Sequence, residues 1–265
     1  MNHNFKKEIF LYLIIVYGIT YLVFSICRIV GMDYRNFVSF SMLLPTFGAI
    51  ITTLIFKEKF SFILKNLKIN KWIFVGIITI ILVYILCSIF QIVIYGFVFK
   101  QFNLVKIPSI LIFLQQILIG IILGGLSATF EEIGWRGFLQ SRLILKNTFF
   151  SYLFIGICWS VFHFPQIFAA LIYAGNLIEG LIIHTCILVS FNILLCYMRE
   201  KSSSLICTSI THGLFNVLIY TQATDVISRG NQIIEGALWA ILFVIIIVIL
   251  FFKNYKRELK ASINL

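Results

Sequence analysis

The sequence is poor in charged residues, and acidic residues are the scarcest. Asp, Glu, Lys and Arg make up 12% of the 265 residues, whereas about a quarter of the residues in a soluble domain are charged. Ten residues are acidic, 21 are basic and three are prolines. Apolar residues make up 61%, and the mean hydropathy is +1.04. The lack of charge excludes an ordinary soluble domain and predicts an integral membrane protein.

Patterns typical of redox, metal and nucleic-acid sites are also missing. The six cysteines occur singly in apolar segments, with no CxxC pair and no metal-ligand spacing, so we expect small buried side chains. The net charge of +11 comes from short basic clusters between apolar runs. It does not form the aromatic-laced basic surface of a nucleic-acid-binding protein. The sequence therefore predicts no nucleic-acid partner, and it favours anionic lipid headgroups as the partners of these clusters.

The apolar residues form eight runs, each long enough for a membrane helix. They cover residues 9–29, 37–56, 72–99, 107–145, a run from about 148 that passes Pro165, 177–198, 204–220 and 233–252. We expect Pro45 to bend the second run and Arg142 to mark the water end of the fourth. The chain has no internal repeat, low-complexity tract or second domain. The sequence thus predicts one all-α domain over residues 1–265, with a motif-bearing core at about 122–220.

The basic residues favour one orientation of this bundle. With eight spans and a cytoplasmic N-terminus, 16 of the 21 Lys and Arg residues lie on the inner side and five on the outer side. This is the distribution that the positive-inside rule favours. We therefore expect an even number of spans, with both termini in the cytoplasm.

Two of the ten acidic residues, Glu131 and Glu132, are adjacent and lie inside the fourth run. A carboxylate within a membrane span is costly unless it is paired, so such a residue is a functional-site hypothesis by default. Glu132 and Arg136 are four residues apart with the acid first, the favoured orientation of a helical ion pair. Glu131 projects about 100° away from that face, and we expect it to act as a general base.

Two later helices carry histidines in apolar surroundings. His163 shares a helix face with Trp159, and His212 shares one with Asn216, because positions four apart point the same way. The helical rise of about 1.5 Å per residue puts Glu131, His163 and His212 on the order of 15–20 Å from the inner surface. The sequence therefore predicts that these polar groups line one pocket.

The remaining polar residues in the spans are assigned structural roles. His184 and Asn192 are interpreted as packing-level hydrogen-bonding residues. Glu179 and Glu235 lie near the outer starts of their helices, where we expect them to complement the helix dipole.

Together these residues form three motifs: EExxxR, aromatic-xxx-His and HxxxN. They are supplied by Glu131, Glu132 and Arg136, by Trp159 and His163, and by His212 and Asn216. In this order on successive helices, the motifs resemble those of the CPBP family, with Trp159 in place of the commoner Phe. That family comprises the type II CAAX prenyl proteases and bacterial Abi relatives linked to bacteriocin processing and self-immunity.

The resemblance implies an eight-helix endopeptidase in the cell membrane, with a cavity open to the cytosol and a peptide or membrane-protein substrate. Glu131 and His163 would hold and activate the attacking water. His212 and Asn216 would stabilise the tetrahedral oxyanion, and Glu132 with Arg136 would support the site. No cofactor is implied.

Three alternatives stay open. Two histidines and a carboxylate are an adequate ligand set for a catalytic zinc ion, although the sequence has no HExxH and Asn216 is a poor ligand. A non-enzymatic immunity or regulatory protein is the second alternative. A transporter is the weakest, because the paired broken helices of two related halves are not found in the sequence.

Overall fold

The computed structural model describes residues 3–59, 67–100, 108–143, 148–170, 177–223 and 229–263. Within these ranges every regular element is a helix and there is no β-strand, so the predicted all-α class is confirmed. The helices are α1 (His3–Val30), α2 (Arg35–Ser41), α3 (Leu44–Ile55), α4 (Trp72–Gln91), α5 (Ile110–Ile119), α6 (Gly125–Glu132), α7 (Gln140–Leu143), α8 (Thr148–Phe168), α9 (Leu177–Ser202), α10 (Leu205–Ala223) and α11 (Arg229–Ile263). Three π-helical segments continue them without a break: π1 (Ile92–Val98), π2 (Gly120–Gly124) and π3 (Ile133–Leu139).

Six of the described helical segments are long and apolar enough to cross a membrane. They are Phe5–Val30, Trp72–Val98, Ile110–Leu143, Thr148–Phe168, Leu177–Ser202 and Gln232–Phe252. The pair α2 and α3, bent by 42°, makes a seventh if it counts as one span, and Leu205–Ile219 is a shorter apolar helix. The protein is thus a multi-pass integral membrane protein. The count of eight spans and the cytoplasmic termini stay predictions.

The span with the two glutamates runs from Ile110 to Leu143 and joins α5, π2, α6, π3 and α7. We refer to it as the glutamate helix. Ser109 caps its start, because the Ser109 hydroxyl accepts a hydrogen bond from the backbone N–H of Ile112. Its π-helical segments contain i→i+5 hydrogen bonds, whose wider turns occur frequently at functional sites. One of them, π3, begins directly after Glu132.

Helix α10, which carries His212, lies at the centre of the bundle. It packs along π2 and α6 of the glutamate helix and also contacts α4 and α9, while α9 packs between α8 and α11. At Gly213 the backbones meet directly, since a Cβ added there would lie 2.1 Å from the carbonyl carbon of Gly124 and from the nitrogen of Gly125. Such glycine contacts allow membrane helices to approach closely.

Helix α3 packs against another part of the glutamate helix. A Cβ added to Gly134 would lie 2.6 Å from the backbone of Pro45, and the hydroxyl of Thr46 donates to the carbonyl oxygen of Phe130. Pro45 lies in the first turn of α3, just after the break that separates α2 from α3. The predicted bend of this run is therefore present at Pro45.

Arg142 lies in the last turn of the glutamate helix, at its predicted place, but its side chain is buried inside the protein. It is only 5% exposed, and its Nε donates to Glu8 on α1 at 2.5 Å. Its Nη2 donates to Glu58 after α3, and the guanidinium carbon lies 3.6 Å from the ring centroid of Phe138. Arg142 is buried because two carboxylates from distant parts of the chain compensate its charge.

Two further expectations need correction. Five of the six free cysteines are buried as predicted, but Cys186 is exposed on α9. Glu235 does not lie at an exposed helix start, because it is 5% exposed in α11 and acts electrostatically on Tyr84, Cys87 and Tyr95. Helix α11 begins six residues before Glu235, so this carboxyl is too far along the helix to interact with its first turn.

Candidate functional site

The side chain of Glu131 is buried inside the protein and does not face lipid. The residue is 2% exposed, and its Oε2 accepts a hydrogen bond of 2.7 Å from the indole Nε1 of Trp159 on α8. Its other oxygen, Oε1, accepts no hydrogen bond from any residue that the structure describes. One carboxylate oxygen is therefore fixed and the other is available.

His163 lies one helical turn after Trp159. Its Nδ1 is 2.9 Å from the backbone oxygen of Trp159, and because a carbonyl oxygen only accepts, this nitrogen carries the hydrogen. The two ring centroids are 5.6 Å apart, and the Glu131 carboxylate acts electrostatically on the His163 ring. In neutral His163, Nε2 is thus an unprotonated acceptor.

Glu132 is fully buried and binds two partners through one oxygen. Its Oε1 accepts a hydrogen bond of 2.7 Å from Nη1 of Arg136 and one of 2.9 Å from Nδ1 of His212. Both side chains of the Glu132–Arg136 pair are 0% exposed. The two adjacent glutamates therefore have different environments: Glu132 is ion-paired, and among the described residues Glu131 is bound only by a neutral donor.

Trp159 connects these groups. Its ring centroid lies 5.0 Å from that of His212 in an edge-to-face arrangement, and the guanidinium carbon of Arg136 lies 4.4 Å over the indole. The structure thus brings Glu131, His163 and His212, from three different helices, around a single indole.

Asn216 lies one turn after His212 on α10 and is half-buried. Its side chain makes no hydrogen bond to any other residue in the described part of the chain. The amide is therefore unengaged, and the structure shows no contact between it and Glu131 or His163.

Asn192 is a site residue that the sequence reasoning did not identify. It is fully buried. Its Oδ1 accepts a hydrogen bond of 2.8 Å from Nη2 of Arg136, and its Nδ2 donates a hydrogen bond of 2.6 Å to the backbone oxygen of Tyr152. An asparagine inside an apolar span is itself a signal of function. The two hydrogen bonds are the packing-level hydrogen bonds predicted for Asn192, and one of them is made to a motif residue, Arg136. His184, also assigned to packing, lies with its ring 5.6 Å from that of His163.

The zinc alternative requires at least three suitable side chains at one point. Among the described residues, no group of three or more His, Cys, Asp or Glu side chains is placed to hold a metal ion. Glu132 and His212 are in contact, but the other polar groups next to Glu132 are the guanidinium of Arg136 and the hydroxyl of Thr208. The described geometry gives the zinc alternative no ligand set.

Comparisons with known proteins match the same part of the chain. Residues 110–218, which include all three motifs, match the family described as Type II CAAX prenyl endopeptidase Rce1-like. A protein named "CAAX prenyl protease 2" from Methanococcus maripaludis is 35% identical over 125 residues, which cover 42% of this chain and 45% of the relative. The chain thus aligns with less than half of that relative's length. The motif residues lie inside the matched segment, and over residues 110–218 the chain is similar to type II CAAX prenyl endopeptidases.

Proposed function

We propose that this protein is an intramembrane endopeptidase that hydrolyses peptide bonds of membrane-associated peptides or proteins with a water molecule activated by Glu131. The observation that carries the proposal is the arrangement around Trp159, which binds Glu131 and contacts the rings of His163 and His212. Peptide hydrolysis needs a base, an ordered water and donors for the developing negative charge. The name of the matched relative agrees with this reaction class.

Glu131 and His163 are suited to hold the attacking water. The water has two O–H groups, and it can donate one to Oε1 of Glu131 and the other to Nε2 of neutral His163. When the water oxygen bonds to the peptide carbon, Glu131 takes one proton and the carbonyl oxygen becomes the oxyanion. Since Oε2 is already engaged with Trp159, Oε1 is the oxygen that accepts this proton.

His212 and Asn216 are the proposed donors to the oxyanion. Because Nδ1–H of His212 points to Glu132, its Nε2 carries a hydrogen only in the imidazolium form. A donor role for Nε2 therefore requires the imidazolium form of His212.

The second half of the reaction returns the proton. Glu131 gives it to the leaving nitrogen while the C–N bond breaks and the oxyanion re-forms a carbonyl. The products are an amine and a carboxylic acid, which loses its proton to His163 and then to solvent. Glu132 and Arg136 take no part in proton transfer and hold His212 in place. No metal takes part in this scheme.

The proposal includes an eight-span arrangement with both termini in the cytosol, a site open to that side, and anionic lipids against the basic clusters. Cysteine labelling tests the orientation in a Cys186→Ser background, because the other five cysteines are buried. An impermeant maleimide applied to intact cells should label Lys100→Cys but not Lys57→Cys. The reverse pattern contradicts the topology.

Glu131→Gln tests the activity, since it keeps the shape of the side chain and removes the base. Mass spectrometry of membrane peptides should show products that vanish and uncleaved precursors that accumulate in this variant. Glu179→Gln is the matched control, because Glu179 is exposed at the start of α9, and it should leave the peptides unchanged. If Glu131→Gln keeps the full biological effect, the protease proposal fails and a non-enzymatic immunity or regulatory role replaces it.

A chelator titration with metal analysis tests the zinc alternative. Product formation in the purified protein should be insensitive to chelation. Activity that is lost on chelation and restored by stoichiometric zinc would overturn the glutamate mechanism.

A further inference from the structure

The indole N–H of Trp159 takes no part in the proton transfers of the proposed reaction, although it makes the only hydrogen bond that Glu131 receives from the described residues. The Nε1–Oε2 distance is 2.7 Å, within the range of hydrogen bonds to ionised acceptors, which are about twice as strong as neutral ones. Trp159 is 1% exposed, so water does not compete for this bond.

The indole makes two separable kinds of contact. Its aromatic surface lies under Arg136 and against the rings of His163 and His212, and any aromatic side chain offers such a surface. The hydrogen bond to Glu131 needs the N–H, which phenylalanine lacks. The hydrogen bond therefore depends on the Trp that this sequence has at position 159.

We propose that Trp159 is a positioning residue, whose N–H binds Oε2 of Glu131 and fixes the plane of the carboxylate so that Oε1 faces the attacking water. This inference rests on the proposed function. Without the N–H the carboxyl group can rotate about its terminal torsion, which is broad and roughly two-fold. The water then loses a fixed acceptor, although the pocket keeps its shape.

Trp159→Phe removes the donor and keeps an aromatic ring. Trp135→Phe is the matched control, because Trp135 is also fully buried and its Nε1 has no hydrogen-bond partner within the described chain. Both changes truncate a buried indole, but only one removes a bond to Glu131. Assays use the peptides whose cleavage is lost in Glu131→Gln, in synthetic form.

We expect Trp159→Phe to lower kcat about 10- to 100-fold, the effect of losing a hydrogen bond to a charged group, with KM unchanged within about twofold. Trp135→Phe should keep kcat within about threefold of the unsubstituted protein. If Trp159→Phe does not fold, benzothienylalanine at position 159 replaces N–H by sulfur in nearly the same shape and should give the same loss of kcat. An unchanged kcat in Trp159→Phe, or in the benzothienylalanine variant, refutes the positioning role.

The indole N–H resonances provide a readout that does not depend on the substrate. The protein contains four tryptophans. When it is labelled with ¹⁵N-tryptophan, the Trp159 resonance is assigned by its loss in Trp159→Phe. Replacing Glu131 by Ala should move it towards the position of the unbonded Trp135 indole. A resonance that does not move shows that the bond is absent, and the inference then fails by itself. If no peptide depends on Glu131, the proposed function fails first and the positioning role with it.

Discussion

Gly213→Ala should separate the two helices that bring Glu132 and His212 together. The added methyl group would lie 2.1 Å from two backbone atoms of the glutamate helix, whereas ordinary contact begins at 3.4 Å. Backbone atoms cannot rotate away as a flexible side chain can. The helices must therefore move apart by more than about 1 Å, a value that follows from packing at ordinary contact distance.

Such overpacking costs about 1–3 kcal/mol, which corresponds to a Tm lower by about 2–12 °C for a protein of this size. The effect of Gly213→Ala on the rate of peptide cleavage should be larger than its effect on stability. His212 is next to Gly213 and lies 2.9 Å from Glu132, so a shift of about 1 Å breaks that hydrogen bond. A displacement of this size at a catalytic group costs about 100-fold in rate.

The buried cysteines allow a direct stability assay, because a thiol-reactive fluorogenic dye labels Cys27, Cys87, Cys158, Cys196 and Cys207 only as the protein unfolds. Gly18→Ala is the matched control, since an added Cβ there meets nothing within 4 Å and alanine favours the helix by about 0.5–1 kcal/mol. Peptide cleavage is measured on both variants. If Gly213→Ala has the Tm and activity of Gly18→Ala, the helices do not touch as described.

Three further predictions concern buried polar groups and use the same thermal assay. Asn192→Ala should lower stability by about 1–3 kcal/mol, because it leaves buried partners at Arg136 and Tyr152 unsatisfied; an unchanged Tm would show that these bonds are not formed. Glu8→Gln should destabilise the protein. The double variant Glu8→Gln/Arg142→Met should lose less stability than the sum of the two single variants, by at least about 0.5 kcal/mol. Stability losses that simply add would contradict the buried ion pair. Glu235→Gln should raise the Tm and leave cleavage unchanged, because Gln91 bonds to this buried carboxyl but its Oε1 has no hydrogen-bond partner in the described chain; a lower Tm would show that Oε1 is also paired.

The sequence was sufficient to place the six long spans among the described residues, because membrane spans must be long and apolar. The predicted run 72–99 corresponds to the span Trp72–Val98, and the run 177–198 lies within α9. It could not predict the π-helical segments, since a count of 3.6 residues per turn assumes a uniform backbone. The buried position of Arg142 was also missed, because its partners Glu8 and Glu58 are distant in sequence.

The motif spacing predicted which site residues come together but not how they are bonded. Four-residue spacing was enough to expect the contact of Glu132 with Arg136. The bond from Trp159 to Glu131 and the bond from Asn192 to Arg136 join different helices. They depend on how each helix is rotated about its axis and crosses its neighbour, which local periodicity does not determine.

The ion pair between Glu8 and Arg142 links positions 134 residues apart. Only the later of these two positions belongs to the stretch shared with the family, residues 110–218. In a fragment restricted to that stretch, Arg142 would lack both of its carboxylate partners, Glu8 and Glu58. The matched stretch is therefore not a module that can be excised and transplanted, because its buried arginine depends on carboxylates that precede the stretch in the chain.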